Sequence, residues 1–367
     1  MNILSVQHNL KRVINASGRM SILGVSNLEE PVIKAMKEGA SQYYIMEQLH
    51  EEAGKYIASK LNTEAAYVIN SASAGIVLAV AGVITRGDKW KENNILNHRV
   101  DLKRDILLMK GHNVDYGAPV GTMIAHGGGI IREVGYANGC SLDEIEAAIT
   151  NETAGIVFVQ SHHCVQKNMP QVAEVYQIAQ KHKIPLIVDA AAEEDLQVYS
   201  QVSDLVIFSG SKAIEGPTSG VLAGKKDFIS YVKGHHYGIG RSMKIGKESI
   251  IGLVKAIEVY EQDRIKKEEQ LRRLEPLNEL NKIRGIELSI EQDPAGREIY
   301  RGKIIVDEEQ VGLSALQLVD EMKHGDIAIF TRDYHASNGS FEVDPRPLKN
   351  DDCYLIVQRI KEIIHKL

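Results

Sequence analysis

The sequence predicts an α/β protein in which a mostly parallel sheet is followed by a smaller C-terminal α/β domain. Between Asn151 and Val221 the order is strand, helix, strand, connection, strand. This alternation is typical of a parallel sheet with helices on both faces. After Lys226 the pattern changes to a basic, glycine-rich segment and a charged helix. With 367 residues, 44% of them hydrophobic, the chain is long enough for one large and one smaller domain.

We expect three parts: an N-terminal segment over residues 1–45, a large domain over 46–248 and a C-terminal domain over 249–367. The first part is rich in small and turn-forming residues, which predicts irregular structure. A helix should begin near Glu29 and be capped by Ser26 or Asn27. From Ser249 to Leu274, apolar residues at helical spacing predict one long helix whose end is a charged, solvated face.

Apolar runs and helical spacing predict the remaining elements. A strand, a turn of small residues and a buried helix should occupy Ala65–Thr85, and Ser141 with Glu144 forms a capping box at the start of a helix. Other strands are predicted at Asp105–Met109, Ile131–Gly135, Ala154–Val159, Pro185–Val188 and Leu205–Phe208, and helices at Glu47–Asn62 and Glu174–His182. The C-terminal domain should hold strands at Lys303–Val306 and Ile327–Phe330 and a helix at Asp351–Leu367.

Two chemically distinctive residues follow two of these strands. Asp189 comes directly after Pro185–Val188, and Lys212 lies in the glycine-rich turn after Leu205–Phe208. Ligands of parallel α/β proteins bind at the carboxyl edge of the sheet, where both residues would lie. Pyridoxal 5'-phosphate (PLP) needs a lysine that forms a Schiff base with its aldehyde and a carboxylate that keeps its pyridine nitrogen protonated. The pair therefore predicts a PLP site; a structural aspartate and a solvated lysine are the alternative.

The junction at Ser71–Gly75 is a candidate phosphate site. It joins a strand to a helix, whose first turn offers unpaired N–H groups and the positive end of the helix dipole. The alternative is a plain N-cap by Ser71 or Ser73. Ser209 lies at the approach to the lysine and offers a further hydroxyl to a phosphate.

Several histidines lie just past strand ends. His112 could stack on a cofactor ring or hold a proton, although a loop histidine more often does neither. His162, His163 and Cys164 are contiguous, so their side chains would point in different directions along an extended chain. We therefore favour contact with cofactor or substrate over a metal site.

Three arginines are candidates for an anionic substrate. Arg332 and Arg346 could each pair bidentately with a carboxylate, and Arg19 follows a glycine near the start of the chain. The alternative for each is a solvated surface arginine.

Composition favours a small-molecule substrate. The formal net charge is −6, whereas a protein that grips a tRNA backbone usually carries a basic face. The three cysteines are widely spaced, which fits a reducing compartment and neither a zinc pattern nor a disulfide framework. The sequence shows neither a signal peptide nor an apolar run of roughly 18–20 residues. We expect a cytoplasmic protein without a membrane or nucleic-acid partner.

Short motifs in the chain resemble bacterial selenocysteine synthase, a PLP enzyme of fold type I with an aspartate aminotransferase-like fold. They lie at Ile14–Gly18, Asn70–Gly75, Ser209–Gly220 and Asp344–Arg346, so the resemblance covers nearly the whole chain. It implies this fold, a PLP cofactor in the large domain, and a homodimer or larger homo-oligomer.

One subgroup, the D-glucosaminate-6-phosphate ammonia-lyases, is more similar still. Its pattern is similar to the runs Ser17–Met20, Lys110–Asn113, Gly117–Met123, Ser161–Lys167 and Val188–Leu196. Selenocysteine synthases also carry an N-terminal region for tRNA, which we expect to be absent because the Ile14 motif begins so early. The resemblance implies PLP-dependent α,β-elimination that converts D-glucosaminate 6-phosphate to 2-keto-3-deoxygluconate 6-phosphate and ammonia. The alternatives are a selenium transferase acting on seryl-tRNA and a PLP-binding regulator without turnover.

The resemblance also implies roles for single residues around the cofactor. Lys212 would be the Schiff-base lysine, Asp189 the partner of the pyridine nitrogen, and His112 the residue over the ring. Thr218 would reach the cofactor of a neighbouring subunit. The groups expected to hold the cofactor phosphate are Ser73, the amides of Ala74 and Gly75, and Ser209.

For the substrate, the resemblance implies that Arg346 binds the carboxylate. Arg19 and His163 are further candidate substrate contacts. Basic residues available for the distal phosphate are Arg19, Lys167, Arg241, Lys244 and Lys247.

Overall fold

A computed structural model of the chain describes residues 10–97, 99–161, 163–260, 266–293, 298–349 and 351–365. These residues form two compact units. The larger is Leu28–Tyr260, and the smaller combines the described parts of 1–27 and 261–367. This division differs from the expected boundaries at 46 and 249. The first helix belongs to the larger unit, and the strand before it pairs with the C-terminal part of the chain.

The helices and strands have the following bounds. The helices are α1 (Glu30–Ala40), α2 (Met46–Leu61), α3 (Ala72–Thr85), α4 (Lys89–Asn94), α5 (Val120–His126), α6 (Leu142–Ala148), α7 (Val172–Lys181), α8 (Lys226–Gly234), α9 (Lys247–Glu258), α10 (Lys267–Leu274), α11 (Glu308–Val311), α12 (Ala315–Lys323) and α13 (Asp352–His365). The strands are β1 (Arg12–Ala16), β2 (Ala65–Ile69), β3 (Asp105–Met109), β4 (Ile130–Val134), β5 (Thr153–Val159), β6 (Leu186–Asp189), β7 (Leu205–Ser209), β8 (Gly220–Gly224), β9 (Ile286–Gln292), β10 (Tyr300–Val306), β11 (Ile327–Thr331) and β12 (Ser340–Val343).

The larger unit is built on a seven-stranded sheet in the order β2-β8-β7-β6-β5-β3-β4. The strands from β3 to β7 pair in parallel, and β8 is antiparallel to both of its neighbours. Successive residues of one strand enter opposite cores: Val206 packs with α2, α7 and α9, whereas Ile207 packs with α3, α5 and α8. Helices therefore cover both faces, which confirms the predicted α/β fold with a mostly parallel sheet.

Helix α3 is buried along most of its length. Every residue from Ala74 to Thr85 is buried, because the helix is apolar on all sides. This confirms the predicted strand, turn and buried helix over Ala65–Thr85. The predicted capping box of Ser141 and Glu144 is also present at the start of α6.

The smaller unit has its own core between two sheets and their helices. Strand β1 pairs in parallel with β11, and β12, β10 and β9 form an antiparallel sheet. Apolar residues such as Ile14, Ile304 and Phe341 fill the space between these sheets and α12 and α13. The prediction that residues 1–45 are irregular was wrong for β1, since its partner strand is more than three hundred residues away in the sequence.

Two predicted helix details were also wrong. Helix α1 is capped by the backbone of Glu29 without a side-chain cap hydrogen bond, so neither Ser26 nor Asn27 is its N-cap. The single helix expected over 249–274 is two helices, α9 and α10. Leu253 of α9 packs in the larger unit and Leu274 of α10 packs in the smaller one, so each half follows a different core. None of the described helices is both long and apolar enough to cross a membrane.

Candidate active site

The polar residues predicted from the sequence meet at one edge of the seven-stranded sheet. Register places Asp189 beside Val159 of β5, and Ser209 beside Gly220 of β8. Strands β5, β6 and β7 run in parallel, so their carboxyl ends share this edge. Lys212 follows Ser209 by three residues in the connecting turn. The sheet topology therefore brings Asp189, Ser209 and Lys212 to one place, as predicted.

Asp189 is a buried carboxylate at the end of β6. Its side chain accepts a hydrogen bond from the backbone N–H of Ala191 at 3.1 Å. Burial raises the pKa of Asp189 to about 6, although the Ala191 hydrogen bond and the charge of Lys212 act in the opposite direction. The interaction with Lys212 shows that its ammonium group lies near the carboxylate. A second cation at Asp189 would stabilise its ionised form.

The turn that carries Lys212 is held by backbone hydrogen bonds. The N–H of Gly210 donates to the carbonyl of Ser219 at 2.9 Å, and the N–H of Gly216 donates to the carbonyl of Gly210 at 2.7 Å. A Cβ atom on Gly210 would lie 2.1 Å from Ser219 Oγ, so only glycine fits there. Lys212 thus projects from a closed, rigid turn rather than from a flexible loop.

The N-terminus of α3 lies at the same edge. Ser71 is the N-cap and its side chain accepts from the N–H of Ala74 at 3.1 Å, while the N–H of Gly75 donates to the Ser71 carbonyl. The two amides expected to hold a phosphate therefore have partners within the helix, because a side-chain cap engages the third helical N–H. The amides of Ala72 and Ser73 precede them and have no intrahelical acceptor. The serine cap, one of the two alternatives, is therefore present, and the phosphate site stays a prediction.

Close backbone approach fixes the position of this helix end. A Cβ on Gly220 would lie 2.9 Å from the backbone carbon of Ser71, and a Cβ on Gly75 would lie 2.7 Å from Ile69 Cδ1. Glycine at 220 therefore lets the start of α3 approach β8, and glycine at 75 lets the helix pack against Ile69 of β2. Ser209 Oγ lies 3.4 Å from Ser211 Oγ, so two hydroxyls lie next to each other beyond β7.

His112 lies in a short 3₁₀ turn after β3 and is buried. Its Nδ1 accepts a hydrogen bond from the N–H of Val159 at 3.2 Å, and its ring packs edge-on against Phe158 at 4.6 Å. Burial lowers the pKa of His112 to about 4. Near neutral pH the imidazole is therefore uncharged and carries its proton on Nε2. This arrangement suits a packing or hydrogen-bonding role better than the transfer of a proton to a leaving group.

Tyr116 also lies at this site, and no role was predicted for it from the sequence. It lies in the loop after β3, and its hydroxyl hydrogen-bonds with Ser73. Burial raises its pKa, and the nearby charge of Asp189 adds to this effect. The sequence feature that could have indicated Tyr116 is its position, only four residues beyond His112 at the carboxyl end of a strand. Cys164 also lies near Asp189; burial and that carboxylate raise the pKa of its thiol to about 12.

The remaining residues expected on this unit differ in exposure. Thr218 is exposed, and so is His163, whose backbone N–H donates to Ser161 Oγ at 3.2 Å. His162 lies outside the described residues. Among the residues that the structure describes, no group of three or more histidine, cysteine, aspartate or glutamate side chains is arranged to hold a metal.

Lys247, one of the basic residues considered available for a substrate phosphate, contacts the turn after α1. Its ammonium group donates to the carbonyls of Ala40, at 3.0 Å, and Gln42, and lies 5.3 Å from the Tyr43 ring centroid. It therefore holds the turn after α1, a contact that the sequence did not indicate. The exposed side chains among the expected set are Lys167, Arg241 and Lys244.

Arg346 belongs to the smaller unit, where two sequence motifs meet around it. Its guanidinium donates from Nε to Asp344 Oδ1 at 3.0 Å and from Nη2 to Asp344 Oδ2 at 2.7 Å. Gly18, at a φ of +92°, passes close by: a Cβ there would lie 3.1 Å from Asp344 Oδ2. The N–H of Asp344 donates to the Ala16 carbonyl at 2.8 Å. Arg19 follows Gly18 and is partly buried.

Comparison with known proteins identifies the family of this chain. The family model of SelA, described as L-seryl-tRNA selenium transferase, matches residues 13–335. The chain belongs to this family. The matched range includes Asp189, Lys212 and the start of α3, whereas Arg346 lies beyond it.

Curated relatives have several different activities. A D-glucosaminate-6-phosphate ammonia lyase from Salmonella typhimurium is 42% identical over 97% of this chain and 96% of its own. A 5'-C-glycyluridine monooxygenase-decarboxylase from Streptomyces sp is 36% identical over 96% of this chain and 90% of its own. An L-seryl-tRNA(Sec) selenium transferase from Aquifex aeolicus is 26% identical over 70% of this chain and 59% of its own. The predicted resemblance to the ammonia-lyase subgroup is thereby confirmed.

A solved structure of a D-glucosaminate-6-phosphate ammonia-lyase is similar to this chain, with a TM-score of 0.92 and 40% sequence identity. The match covers 100% of this chain and 99% of the other. It confirms the fold predicted from the sequence.

Proposed function

We propose that the protein is a PLP-dependent ammonia-lyase that converts D-glucosaminate 6-phosphate to 2-keto-3-deoxygluconate 6-phosphate and ammonia. The observation that carries the proposal is the buried Asp189 carboxylate beside Lys212 at the carboxyl edge of the sheet. The choice of substrate is supported by 42% identity over 97% of the chain to an ammonia lyase of that name.

The residues present fit the cofactor. Asp189 is a desolvated carboxylate whose charged form is disfavoured by burial. The protonated nitrogen of a pyridine ring would supply a positive charge that stabilises this charged form. Lys212 supplies the amine for the aldehyde. The amides of Ala72 and Ser73, at the start of α3, and the hydroxyls of Ser73 and Ser209 suit the phosphate. His112 offers a flat, uncharged ring beside the same edge.

When bound, PLP supplies an electron-accepting ring joined to the substrate amine, and this makes the C2 proton of the substrate acidic. Asp189 keeps that ring protonated by remaining ionised opposite it. The amine of Lys212 removes the C2 proton and returns it to the C3 hydroxyl, which leaves as water. Because His112 is uncharged near neutral pH, Lys212 is the better acid for this step.

The atoms balance over the whole reaction. Loss of the C2 proton and of the C3 hydroxyl forms a C2–C3 double bond and one water. The released enamine tautomerises and is hydrolysed, which consumes one water and frees ammonia. The net change converts the amino sugar acid into the keto acid and ammonia without an external oxidant or reductant.

The substrate carries a carboxylate and a phosphate, so cationic groups must bind both ends. We assign the carboxylate to Arg346, whose planar guanidinium can pair with it bidentately. Arg19 and His163 remain proposed substrate contacts. For the phosphate, the candidates are Arg19, Lys167, Arg241 and Lys244.

We also propose that the enzyme works as a homodimer or larger homo-oligomer in the cytoplasm, with a small anionic molecule rather than a nucleic acid or a membrane as its partner. Exposed Thr218 lies next to the lysine turn and would serve the cofactor of a neighbouring subunit.

The lysine assignment is tested by substituting it. Purified wild type should show the visible absorbance of lysine-bound PLP, and borohydride should abolish it. Lys212→Ala should lack the band and release no ammonia, whereas Lys226→Ala, at an exposed lysine of the same unit, should behave as wild type. A normal band in Lys212→Ala would end the assignment.

The substrate is tested by measuring ammonia release from D-glucosaminate 6-phosphate, D-glucosaminate and serine. We expect turnover with the phosphorylated sugar acid and little with the others. Activity with serine alone would identify a different lyase, and bound PLP without any ammonia release would indicate a regulator.

Selenium transfer is the second candidate, because the family model carries that description. A gel shift with seryl-tRNA distinguishes it: tight, salt-dependent binding would favour the transferase. Oxygen consumption with 5'-C-glycyluridine would instead place the protein with the relative that is 36% identical.

A further inference from the structure

A cavity of about 790 Å³ lies between helices α2 and α8 of the larger unit. Residues of β2, the edge strand of the seven-stranded sheet, also line it. Small-molecule pockets in proteins have volumes of about 300–1,000 Å³, so this cavity has the size for a small ligand. Its lining includes neither Asp189 nor Lys212 nor the start of α3, which makes it separate from the candidate active site.

Four aromatic rings form one wall of this cavity. The rings of His50 and Tyr67 stack with their centroids 4.9 Å apart, and His236 packs edge-on against His50 at 5.7 Å. The Tyr67 hydroxyl is hydrogen-bonded to His236 Nδ1 at 2.8 Å, and the ring of Tyr237 packs edge-on against His236 at 5.1 Å. Tyr237 is 81% exposed, so its ring is available to stack on a flat molecule in the cavity.

His50 is a buried and uncharged member of this aromatic wall. It is 7% exposed, and burial lowers its pKa to about 4, with the charges of His236 and Lys233 acting in the same direction. Within the residues that the structure describes, its Nδ1 atom has no hydrogen-bond partner. A buried polar atom without a partner is destabilising, and a rotation of the imidazole about its soft χ2 angle would let a polar ligand atom bind it. The wall therefore combines flat apolar surface with an unmatched polar group.

The two helices bring charges of opposite sign to the cavity. Helix α2 contributes Glu47, and α8 contributes Lys233. The charge of Lys233 acts on His50 and on Glu51, and Glu51 is itself paired with Lys55 at 2.9 Å. In the part of the chain that the structure describes, Glu47 and Lys233 make no ion pair with each other. Opposite charges that line one cavity without pairing favour a ligand that carries both charges.

We propose that this cavity binds a free amino acid with a planar aromatic side chain. Its ammonium group lies toward Glu47 and its carboxylate toward Lys233, while the aromatic side chain stacks on Tyr237. A polar atom of the same ligand bonds to His50. The proposal goes beyond the proposed function, because none of the groups assigned to the lyase reaction lines this cavity.

The experiment is isothermal titration calorimetry of the full chain, treated with borohydride so that an added amine cannot react with bound cofactor. The titrants are L-phenylalanine, 3-phenylpropanoate, which lacks the ammonium group, and 2-phenylethylamine, which lacks the carboxylate. We expect L-phenylalanine to bind at a single site per chain. Each truncated compound should bind about fivefold more weakly or worse, because it loses one charged hydrogen-bonding group at a partly exposed site.

Substitutions assign each end of the ligand to its helix. Lys233→Gln should weaken binding of L-phenylalanine and 3-phenylpropanoate about fivefold but leave 2-phenylethylamine unchanged, and Glu47→Gln should affect the amine in place of the acid. Tyr237→Ser should weaken all three, because each carries the aromatic ring. The matched controls are Lys60→Gln, on the same helix as Glu47, and Tyr43→Ser, at another exposed tyrosine. Both residues lie outside the cavity lining, so both variants should match the wild type.

Absence of saturable binding of L-phenylalanine, or binding that Lys233→Gln and Glu47→Gln leave unchanged, would overturn the proposal. So would an oligomer that dissociates in Tyr237→Ser and does not bind L-phenylalanine, since a second copy of the chain would then fill the cavity. Circular dichroism checks the folding of every variant, and if Tyr237→Ser fails to fold, the two charge variants decide. Ammonia release is measured separately, so failure of the proposed lyase reaction and failure of this site are distinguishable.

Discussion

Replacing Asp189 with asparagine should stabilise the cofactor-free protein at neutral pH, although the same change should abolish activity. The carboxylate is buried, and its pKa is raised from 3.8 to about 6 in the folded chain. Asparagine keeps the oxygen that accepts the Ala191 N–H at 3.1 Å. The substitution therefore removes an unfavourable buried charge while it retains the hydrogen bond.

The magnitude follows from the shift in pKa. A difference of about 2 pKa units corresponds to about 3 kcal/mol. For a carboxylate whose folded pKa is raised, the folded state binds more protons between pH 3.8 and about 6. The stability of the wild type relative to the variant is then lost as the pH rises through this range. Below pH 3.8 the carboxyl group is protonated in both states and the two proteins should be equally stable in this respect.

The assay is urea denaturation of cofactor-free wild type and of Asp189→Asn at pH 8 and pH 4, with unfolding monitored by far-ultraviolet circular dichroism. At pH 8 the variant should be more stable by about 3 kcal/mol, and at pH 4 the difference should nearly vanish. With PLP added, the order should reverse, because the ring nitrogen supplies the missing cation only to the wild type. A variant that is less stable at pH 8 without cofactor, or a difference independent of pH, would refute the reasoning.

Two other substitutions test the structural roles of Gly220 and Lys247. In Gly220→Ala the new Cβ would lie 2.9 Å from the Ser71 backbone, so the start of α3 should move. PLP affinity should then fall, and the free energy of unfolding should drop by about 1–3 kcal/mol. Cofactor titration and denaturation curves identical to those of the wild type would contradict this. In Lys247→Met the hydrogen bonds to Ala40 and Gln42 are lost. Stability in urea should then fall by about 1–2 kcal/mol while KM for the phosphorylated substrate stays the same, and a large rise in KM would return Lys247 to phosphate binding.

Local patterns were sufficient for most elements of the larger unit. The capping box at Ser141, the buried helix after Ser71, and the strands that end at Asp189 and Ser209 all appear at the predicted places. Each depends on residues that are close together in the sequence, where periodicity and capping act. The closeness of Asp189 and Lys212 could also be predicted, because parallel strands bring their carboxyl ends to one edge.

The predictions that were wrong involve residues that are distant in the sequence. Strand β1 forms because β11 lies beside it, and the expected helix over 249–274 divides because its two parts pack in different cores. Lys247 was one of five basic residues considered available for a phosphate, and its contact with the turn after α1 was not foreseen. Nothing in the local sequence around any of these residues indicates its distant partner.

By itself, the sequence determined the α/β architecture, the family resemblance and the chemical types at the site: an amine, a carboxylate, a helix N-terminus and an arginine. Only the tertiary structure decided the state of these groups. The pKa of Asp189 is raised and that of Asp344 is lowered, and His112 is uncharged, because burial and through-space charges differ around each. Ionisation depends on the solvent and partners that surround a group in three dimensions, and residue identity alone does not contain that information.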